Sequence, residues 1–149
     1  MSFFGSLDVS ASGLTAQRLR MDIIAENIAN VETTRTQDGS PYKRKTVLFQ
    51  ERGGASPFSE YFSKAMGNIV QDVRGVRVTK VVTDNRPGAK VYEPGHPDAD
   101  ADGYVTKPNV NIVEEMVNMI SASRSYEANV TAFGTTKSMI AKTLEMGAR

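Results

Sequence analysis

The sequence contains no cysteine, no tryptophan and a single histidine among 149 residues. Without cysteine, the chain cannot form disulfides, thiolate zinc sites or cysteine nucleophiles. The 18 lysine and arginine residues nearly balance the 17 aspartate and glutamate residues, so the net charge of +1 creates no field that would attract nucleic acid or an anionic membrane. We therefore expect partners to be recognised by shape rather than by charge.

The N-terminus also lacks a targeting segment. The stretch MSFFGSLDVSASG has no basic start, and its longest apolar run is the pair Phe3 and Phe4, which is too short for a secretory signal or a membrane span. We therefore predict no cleaved signal peptide and no membrane insertion. If the protein leaves the cytoplasm, it must use another route.

Hydrophobic periodicity at the two ends of the chain predicts two long helices, because alternating steps of four and three residues give each end one apolar face. In the N-terminal helix, predicted over residues 1–32, this face consists of Leu7, Ala11, Leu14, Met21, Ile24, Ala25, Ile28 and Val31. In the C-terminal helix, predicted over residues 110–149, it consists of Ile112, Met116, Met119, Tyr126, Val130, Phe133, Ile140 and Leu144. Pro108 disfavours helix in the residue before it, so Asn109 or Asn111 is expected to cap the second helix.

Residues 33–109 show the alternation of β-strands instead. YKRKTVLFQE and GVRVTKVVTD predict two strands, and AKVYEP and GYVTKP predict two shorter ones, whereas FSEYFSKAMGNIV is compatible with one or two helical turns or with a loop. The apolar residues available for a core in this segment are Phe49, Phe58, Tyr61, Phe62, Val76, Val78, Val82, Val91 and Tyr104. The predicted fold class is therefore α+β, in which the terminal helices pair as an extended coiled-coil hairpin and a small β-rich domain is inserted between them.

The size of this β-rich domain has a consequence for the helices. A core of that size cannot also cover two long apolar helical faces. The helices must cover each other or other chains, and pairing them still leaves much of the longer one facing outward. The sequence therefore predicts assembly with further copies or with other proteins.

The segment DADADG is the strongest candidate for a metal site. Asp98, Asp100 and Asp102 occupy the first, third and fifth positions of a calcium loop, and a glycine follows at the sixth. The twelfth position, which needs a bidentate glutamate, is Asn109, and Pro108 precedes it. A solvated acidic turn is therefore the default interpretation, and a calcium-dependent binding module is the alternative function.

Other candidate sites carry less signal. His96 lies in a polar loop without a second metal ligand or a nucleophile at a suitable spacing, so a hydrolase is a weaker alternative. Lys43, Arg44 and Lys45 form a basic cluster that is more typical of a charged strand than of a nucleic-acid site. We therefore predict no catalytic, cofactor-binding or metal-binding residues, no cofactor, no enzymatic activity and no nucleic-acid partner.

Two asparagines, Asn27 and Asn30, stand at the end of the N-terminal helix in AENIANVETT. Asparagine tolerates the left-handed conformation that closes a helix, and Thr33 and Thr34 discourage its continuation. Helix termination accounts for one asparagine well, but it accounts for two less well.

Both ends of the chain resemble a known family. SASGLTAQRLRMDIIAENIANVETT is similar to the N-terminal signature of the flagellar rod and hook (axial) proteins, and GYVTKPNVNIVEEMVNMISASRSYEANVTAFGTTKSMIAKTLEMG is similar to their C-terminal helix. Together the two stretches cover about half of the chain. The middle segment carries less of the resemblance.

The resemblance implies a structural subunit of the proximal rod in the bacterial flagellar basal body. Such a subunit would be exported by the flagellar type III apparatus without a cleaved signal, and would assemble helically with copies of itself and other rod proteins across the periplasm. In the family the terminal helices line the inner tube and the middle segment faces outward. The residues expected at subunit interfaces are Leu14, Met21, Ile24, Asn27, Ile28, Asn30, Thr33, Met116, Met119, Tyr126, Val130, Phe133 and Ile140.

Overall fold

A computed structural model describes residues 3–53, 65 and 74–147. The predicted helices and strands are confirmed in an α+β arrangement. The elements are α1 (Phe3–Ala29), β1 (Lys45–Glu51), β2 (Val76–Thr83), β3 (Lys90–Tyr92), β4 (Tyr104–Thr106) and α2 (Ile112–Gly147). The ambiguous segment FSEYFSKAMGNIV, with Phe58, Tyr61 and Phe62, lies outside the described residues apart from Ala65. Neither described helix contains a stretch long and apolar enough to cross a membrane.

Strands β1 and β2 form a two-stranded sheet. At one end the backbone N–H of Arg52 donates to the carbonyl of Gly75 at 2.7 Å, and at the other end the N–H of Asp84 donates to the carbonyl of Arg44 at 2.8 Å. The residue that follows β1 is therefore bonded to the residue that precedes β2, and the residue that precedes β1 is bonded to the residue that follows β2. The two strands run antiparallel.

Strands β3 and β4 form a second antiparallel sheet with three facing pairs. The pairs are Lys90 with Thr106, Val91 with Val105, and Tyr92 with Tyr104. Side chains alternate between the two faces of a strand, so Val105 points inward and is 1% exposed, whereas the Tyr92 and Tyr104 rings are exposed and meet edge to face at 5.3 Å.

Helix α2 begins at the cap that the sequence predicts. The Asn111 side-chain oxygen accepts hydrogen bonds from the backbone N–H groups of Val113 at 3.0 Å and Glu114 at 3.4 Å, which otherwise lack partners in the first turn. Of the two candidates, Asn111 is therefore the capping residue. Asn109 has a different role, described below.

The chain divides into two compact units, each of which combines parts of both helices with part of the middle segment. The first unit consists of Met1–Gln17, Phe49–Thr79 and Ser125–Arg149, and the second consists of Arg18–Leu48 and Lys80–Arg124. In the first unit, Ala16 is buried. The buried apolar residues of the second unit are Ile24, Tyr42, Val47, Val105 and Ala122.

Helices α1 and α2 contact each other in both units. In the first unit Gly13 lies against Asn129, and in the second unit Asn27 donates a hydrogen bond to Glu115. Packing of the apolar faces as a continuous coiled coil stays a prediction.

The predicted core of the middle segment is wrong at two described positions. Phe49 is 38% exposed and Tyr104 is 43% exposed, whereas Tyr42, Val47 and Val105 are buried. Tyr104 is the neighbour of the buried Val105 in β4, so it lies on the opposite, uncovered face of its sheet. Phe49 lies on the same face of β1 as the buried Val47, so alternation does not account for its exposure.

Candidate functional site

The best-defined polar site in the described residues surrounds Asn27, near the end of α1. The Asn27 amide nitrogen donates to the carbonyl of Lys45 at 2.8 Å and to Oε2 of Glu115 at 2.9 Å. Its oxygen accepts from the Tyr42 hydroxyl at 2.9 Å and from the backbone N–H of Lys45 at 2.9 Å. Both donors and both acceptor positions of the amide are therefore satisfied, although Asn27 is only 1% exposed.

Glu115 is the second buried polar residue of this site and is also 1% exposed. Its Oε1 accepts two hydrogen bonds from the Arg44 guanidinium, from Nε at 2.9 Å and from Nη2 at 2.7 Å. The neighbouring Glu114 is exposed and accepts one bond from the same Arg44 group at 3.2 Å. The buried carboxylate is thus paired with a cation and with an amide, as burial of a charge requires. We call Asn27, Tyr42, Arg44, Lys45 and Glu115 the Asn27 cluster.

The buried, negatively charged surroundings of the cluster change the pKa of Tyr42. Burial, followed by the negative charges of Glu26 and Glu115, raises the pKa of the Tyr42 hydroxyl to about 12. The Lys45 ammonium lies 5.6 Å from the centre of the Tyr42 ring and forms an ion pair with Glu26. The phenol therefore remains protonated and continues to donate to Asn27 at physiological pH.

Asn30 has the terminating role that the sequence predicts, but by a different mechanism. Its side-chain nitrogen donates to the carbonyl of Glu26 at 2.9 Å, and its side-chain oxygen accepts from the Thr33 hydroxyl at 3.1 Å. No described residue other than glycine has a positive φ, so the expected left-handed asparagine is wrong. Asn30 ends the helix through side-chain hydrogen bonds, and Asn27 joins the helix end to the rest of the unit.

Asn109 connects the β1–β2 sheet to the approach to α2. Its side-chain oxygen accepts from the backbone N–H of Arg44 at 2.8 Å, and its nitrogen donates to the carbonyls of Asp84 and Arg86 at 3.0 Å each. Hydrogen bonds and charge from Arg86 lower the pKa of Asp84 to about 2. Asn109 thus fixes the strand ends beside the Arg44 group that holds Glu115.

The predicted interface residues fall into three groups by exposure. Ile24 and Asn27 are buried within the chain. Met116 and Val130 are exposed, at 51% and 47%. The others are partly exposed, namely Leu14, Met21, Ile28, Asn30, Thr33, Met119, Tyr126, Phe133 and Ile140. Their role at a subunit interface stays a prediction.

The first turns of α2 carry a contiguous apolar face that we call the outer α2 face. It consists of Ile112, Val113, Met116, Val117 and Ile120, which are each 41–65% exposed. The spacing of these residues places them on one side of the helix, and the buried Glu115 and Ala122 lie on the opposite side. Among these five, the four-and-three spacing selected Ile112 and Met116 for the apolar face, and only Met116 belongs to the predicted interface residues.

The acidic turn gives the calcium alternative no support. Asp98 accepts a hydrogen bond from the Thr34 hydroxyl at 2.8 Å and lies 3.6 Å from the Arg35 guanidinium, and its backbone N–H donates to Nδ1 of His96 at 3.1 Å. These interactions direct the turn toward its neighbours in the chain. Over the part of the chain that the structure describes, no group of three or more acidic, histidine or cysteine residues could hold a metal ion.

The sequence does not reveal three members of the Asn27 cluster. Glu115 precedes Met116 in a helix whose charged residues are expected to face solvent, and Arg44 belongs to a basic cluster that is typical of a charged strand. Tyr42 lies in a polar stretch before β1. The available signal is the position of Asn27 on an otherwise apolar face of the helix. A buried amide there requires hydrogen-bond partners elsewhere in the chain.

Two known sequence families match the chain at its two ends. Residues 7–36 match the family described as "Flagella basal body rod protein", and residues 101–146 match "Flagellar basal body rod FlgEFG protein C-terminal". Proteins named "Flagellar basal-body rod protein FlgC" are similar over almost their whole length. Those of Bacillus subtilis strain 168 and Escherichia coli O6:H1 are 47% and 45% identical, each over 99% of both chains, and that of Borreliella burgdorferi is 47% identical over 97% of both chains.

Proposed function

The chain belongs to the family of flagellar basal-body rod proteins named FlgC, and we propose that it is a structural subunit of the proximal rod of the bacterial flagellum. Its relatives are named as rod proteins and not as enzymes. In this role the protein has no catalytic activity, and it contributes stiffness and contact surface to a shaft that transmits torque.

The outer α2 face is the structural observation that supports assembly. Five neighbouring apolar residues remain exposed on two turns of a helix whose other side is already covered. Contiguous apolar surface of this kind marks protein contacts, and a helical row of side chains is complementary to a second helix through ridge-into-groove packing. We therefore place a subunit contact at this face, in addition to the interface residues expected from the resemblance.

The C-terminal part of α2 supports the same proposal from the other unit. Val130, Met139, Leu144 and Met146 are 47–69% exposed, and each residue from 141 to 147 is exposed. A helix with so little cover gains most of its stability from packing against other elements. Neighbouring subunits would supply that cover in the rod.

The partners proposed for this subunit are copies of itself and other flagellar rod proteins, arranged helically. Before assembly it would pass through the flagellar type III export apparatus, and after assembly it would lie in the part of the rod that crosses the periplasm. The apolar and uncharged character of the outer α2 face supports recognition by shape rather than by net charge.

A charged substitution on the outer α2 face tests the proposal. Cells that lack their own copy of the gene would be complemented with Val117→Asp, and rods would be counted in purified basal bodies. Burying an unpaired carboxylate in a contact costs several kcal/mol, so we expect the variant to be exported but not incorporated, and the cells not to swim. Val117 is 61% exposed, so the isolated variant should keep the helix content of the wild type.

Asn118→Asp is the matched control, because it adds the same charge beside Val117 at a partly exposed position on the side of α2 away from the outer face. We expect this variant to support rods and swimming. Normal rods with both Val117→Asp and Val113→Asp would show that the outer face makes no subunit contact. Normal rods in cells that lack the gene altogether would contradict the proposed function itself.

A further inference from the structure

Glu115 is the one charged side chain, among the residues that the structure describes, that is almost fully buried. It receives three hydrogen bonds, and all of them come from the N-terminal third of the chain. Asn27 in α1 donates one to Oε2, and Arg44 before β1 donates two to Oε1. A single carboxylate on α2 is therefore recognised by groups on two other segments of the same unit.

The apolar contacts of the unit do not select one alignment as strictly. Burial of Ile24 and Ala122 is favourable wherever a helix offers small or apolar neighbours, because the hydrophobic effect is non-directional. Four residues from Glu115 on either side, the residues that would face Asn27 are Met119 in α2 and Asn111, which caps the helix. Neither can replace a carboxylate that accepts from both Asn27 and Arg44.

A shift of one helical turn displaces α2 by about 5.4 Å, whereas a hydrogen bond tolerates only a few tenths of an ångström. Such a shift would break all three bonds and leave Glu115 buried without a partner. Directional polar groups in otherwise apolar helix contacts are known to select one alignment among several.

We propose that Glu115, held by Asn27 and Arg44, is the residue that determines the alignment of α1 on α2 in the second unit. Glu115 excludes alignments in which α2 is shifted by one helical turn along α1. It thereby determines which residues of α2 remain on the outer face. This selection takes place within one chain and does not depend on assembly into a rod.

The absence of native cysteine allows a direct measurement on the isolated full-length chain. Spin labels would be attached at Asp22→Cys and Arg124→Cys, which are exposed positions of the same unit, and the distance between the labels would be measured by pulsed electron paramagnetic resonance. The wild-type background should give one narrow distance. Asn27→Leu combined with Glu115→Leu should keep the helix content but add a population displaced by about one turn.

Two further variants make the result decisive. Glu114→Ala removes the exposed neighbour of Glu115, which accepts a single bond from Arg44, and should leave the narrow distance unchanged. Glu115→Ala removes the buried carboxylate and leaves only a methyl group in its place, and it should broaden the distance as the double variant does.

Three outcomes would overturn the proposal. One is a single native distance in both the double variant and Glu115→Ala, and another is a broad distance in the wild-type background. The third is loss of helix in both variants, because Glu115 would then be required for folding rather than for choosing between alignments. None of these outcomes bears on whether the chain is a rod subunit, since the measurement uses no rods.

Discussion

The two units bring α1 and α2 together in different ways. In the first unit the contact depends on a missing side chain, since a Cβ atom on Gly13 would lie 2.8 Å from Oδ1 of Asn129. In the second unit the contact depends on polar groups, because the buried Asn27 and Glu115 are hydrogen-bonded to each other at 2.9 Å. One contact is steric and the other is directional.

This difference predicts different responses to substitution. A side chain that is too close can rotate away, so a steric contact weakens gradually when a methyl group is added. A buried amide or carboxylate that loses its partner cannot reach water by a small rotation. The loss of a directional contact therefore costs the full desolvation free energy of the group. We therefore expect the second unit to respond more strongly than the first to changes of similar size.

The largest effect is expected for Asn27→Asp. The aspartate cannot donate to the Lys45 carbonyl, and it places a second carboxylate beside Glu115 in a buried site. We expect the free energy of unfolding of the isolated chain to fall by about 3–5 kcal/mol, measured by chemical denaturation. Asn30→Asp is the matched control, because Asn30 is partly exposed, and it should cost about 1 kcal/mol. Equal losses in the two variants would contradict the distinction between these asparagines.

A smaller effect is expected when the pH is raised. The folded protein holds the proton of Tyr42 more tightly than the unfolded chain, since the pKa rises from 10.0 to about 12 on folding. The stabilisation from this proton is complete below pH 10 and is lost as the pH rises through 12, by about 1–2 kcal/mol once screening by solvent is allowed for. Denaturation curves of the wild type and Tyr42→Phe, compared at each pH, isolate this contribution. A constant difference between the two proteins over that range would exclude it.

The smallest effect is expected for Gly13→Ala in the first unit. Alanine is favoured over glycine inside a helix by about 1 kcal/mol, and the close contact with Asn129 opposes that gain, so the net change should lie within about 1 kcal/mol of zero. The same substitution in an Asn129→Ala background should stabilise the chain by about 1 kcal/mol. A loss of several kcal/mol in that background would show that the contact at Gly13 is not governed by the Asn129 side chain.

Local patterns in the sequence were sufficient for the elements of the fold but not for the Asn27 cluster. Asn30 acts on Glu26 and Thr33, which are its neighbours in sequence, so its role as a helix terminator could be predicted. The partners of Asn27 lie 15, 18 and 88 residues away along the chain, and only the tertiary structure brings them together. Glu115 could not be identified for a related reason, since a charged residue in an amphipathic helix is normally assigned to the solvated side.

The pairing of Asn27 with the backbone of Lys45 has a consequence for aggregation. Lys45 is the first residue of β1, and both its N–H and its carbonyl are bonded to the Asn27 side chain. A side-chain amide thus occupies the place where the backbone of an added strand would bind. Unpaired strand edges are templates for uncontrolled strand addition, and they are a particular risk for a rod protein that assembles with other rod components. Asn27 closes this edge at its first position, so that association is left to the helical surfaces.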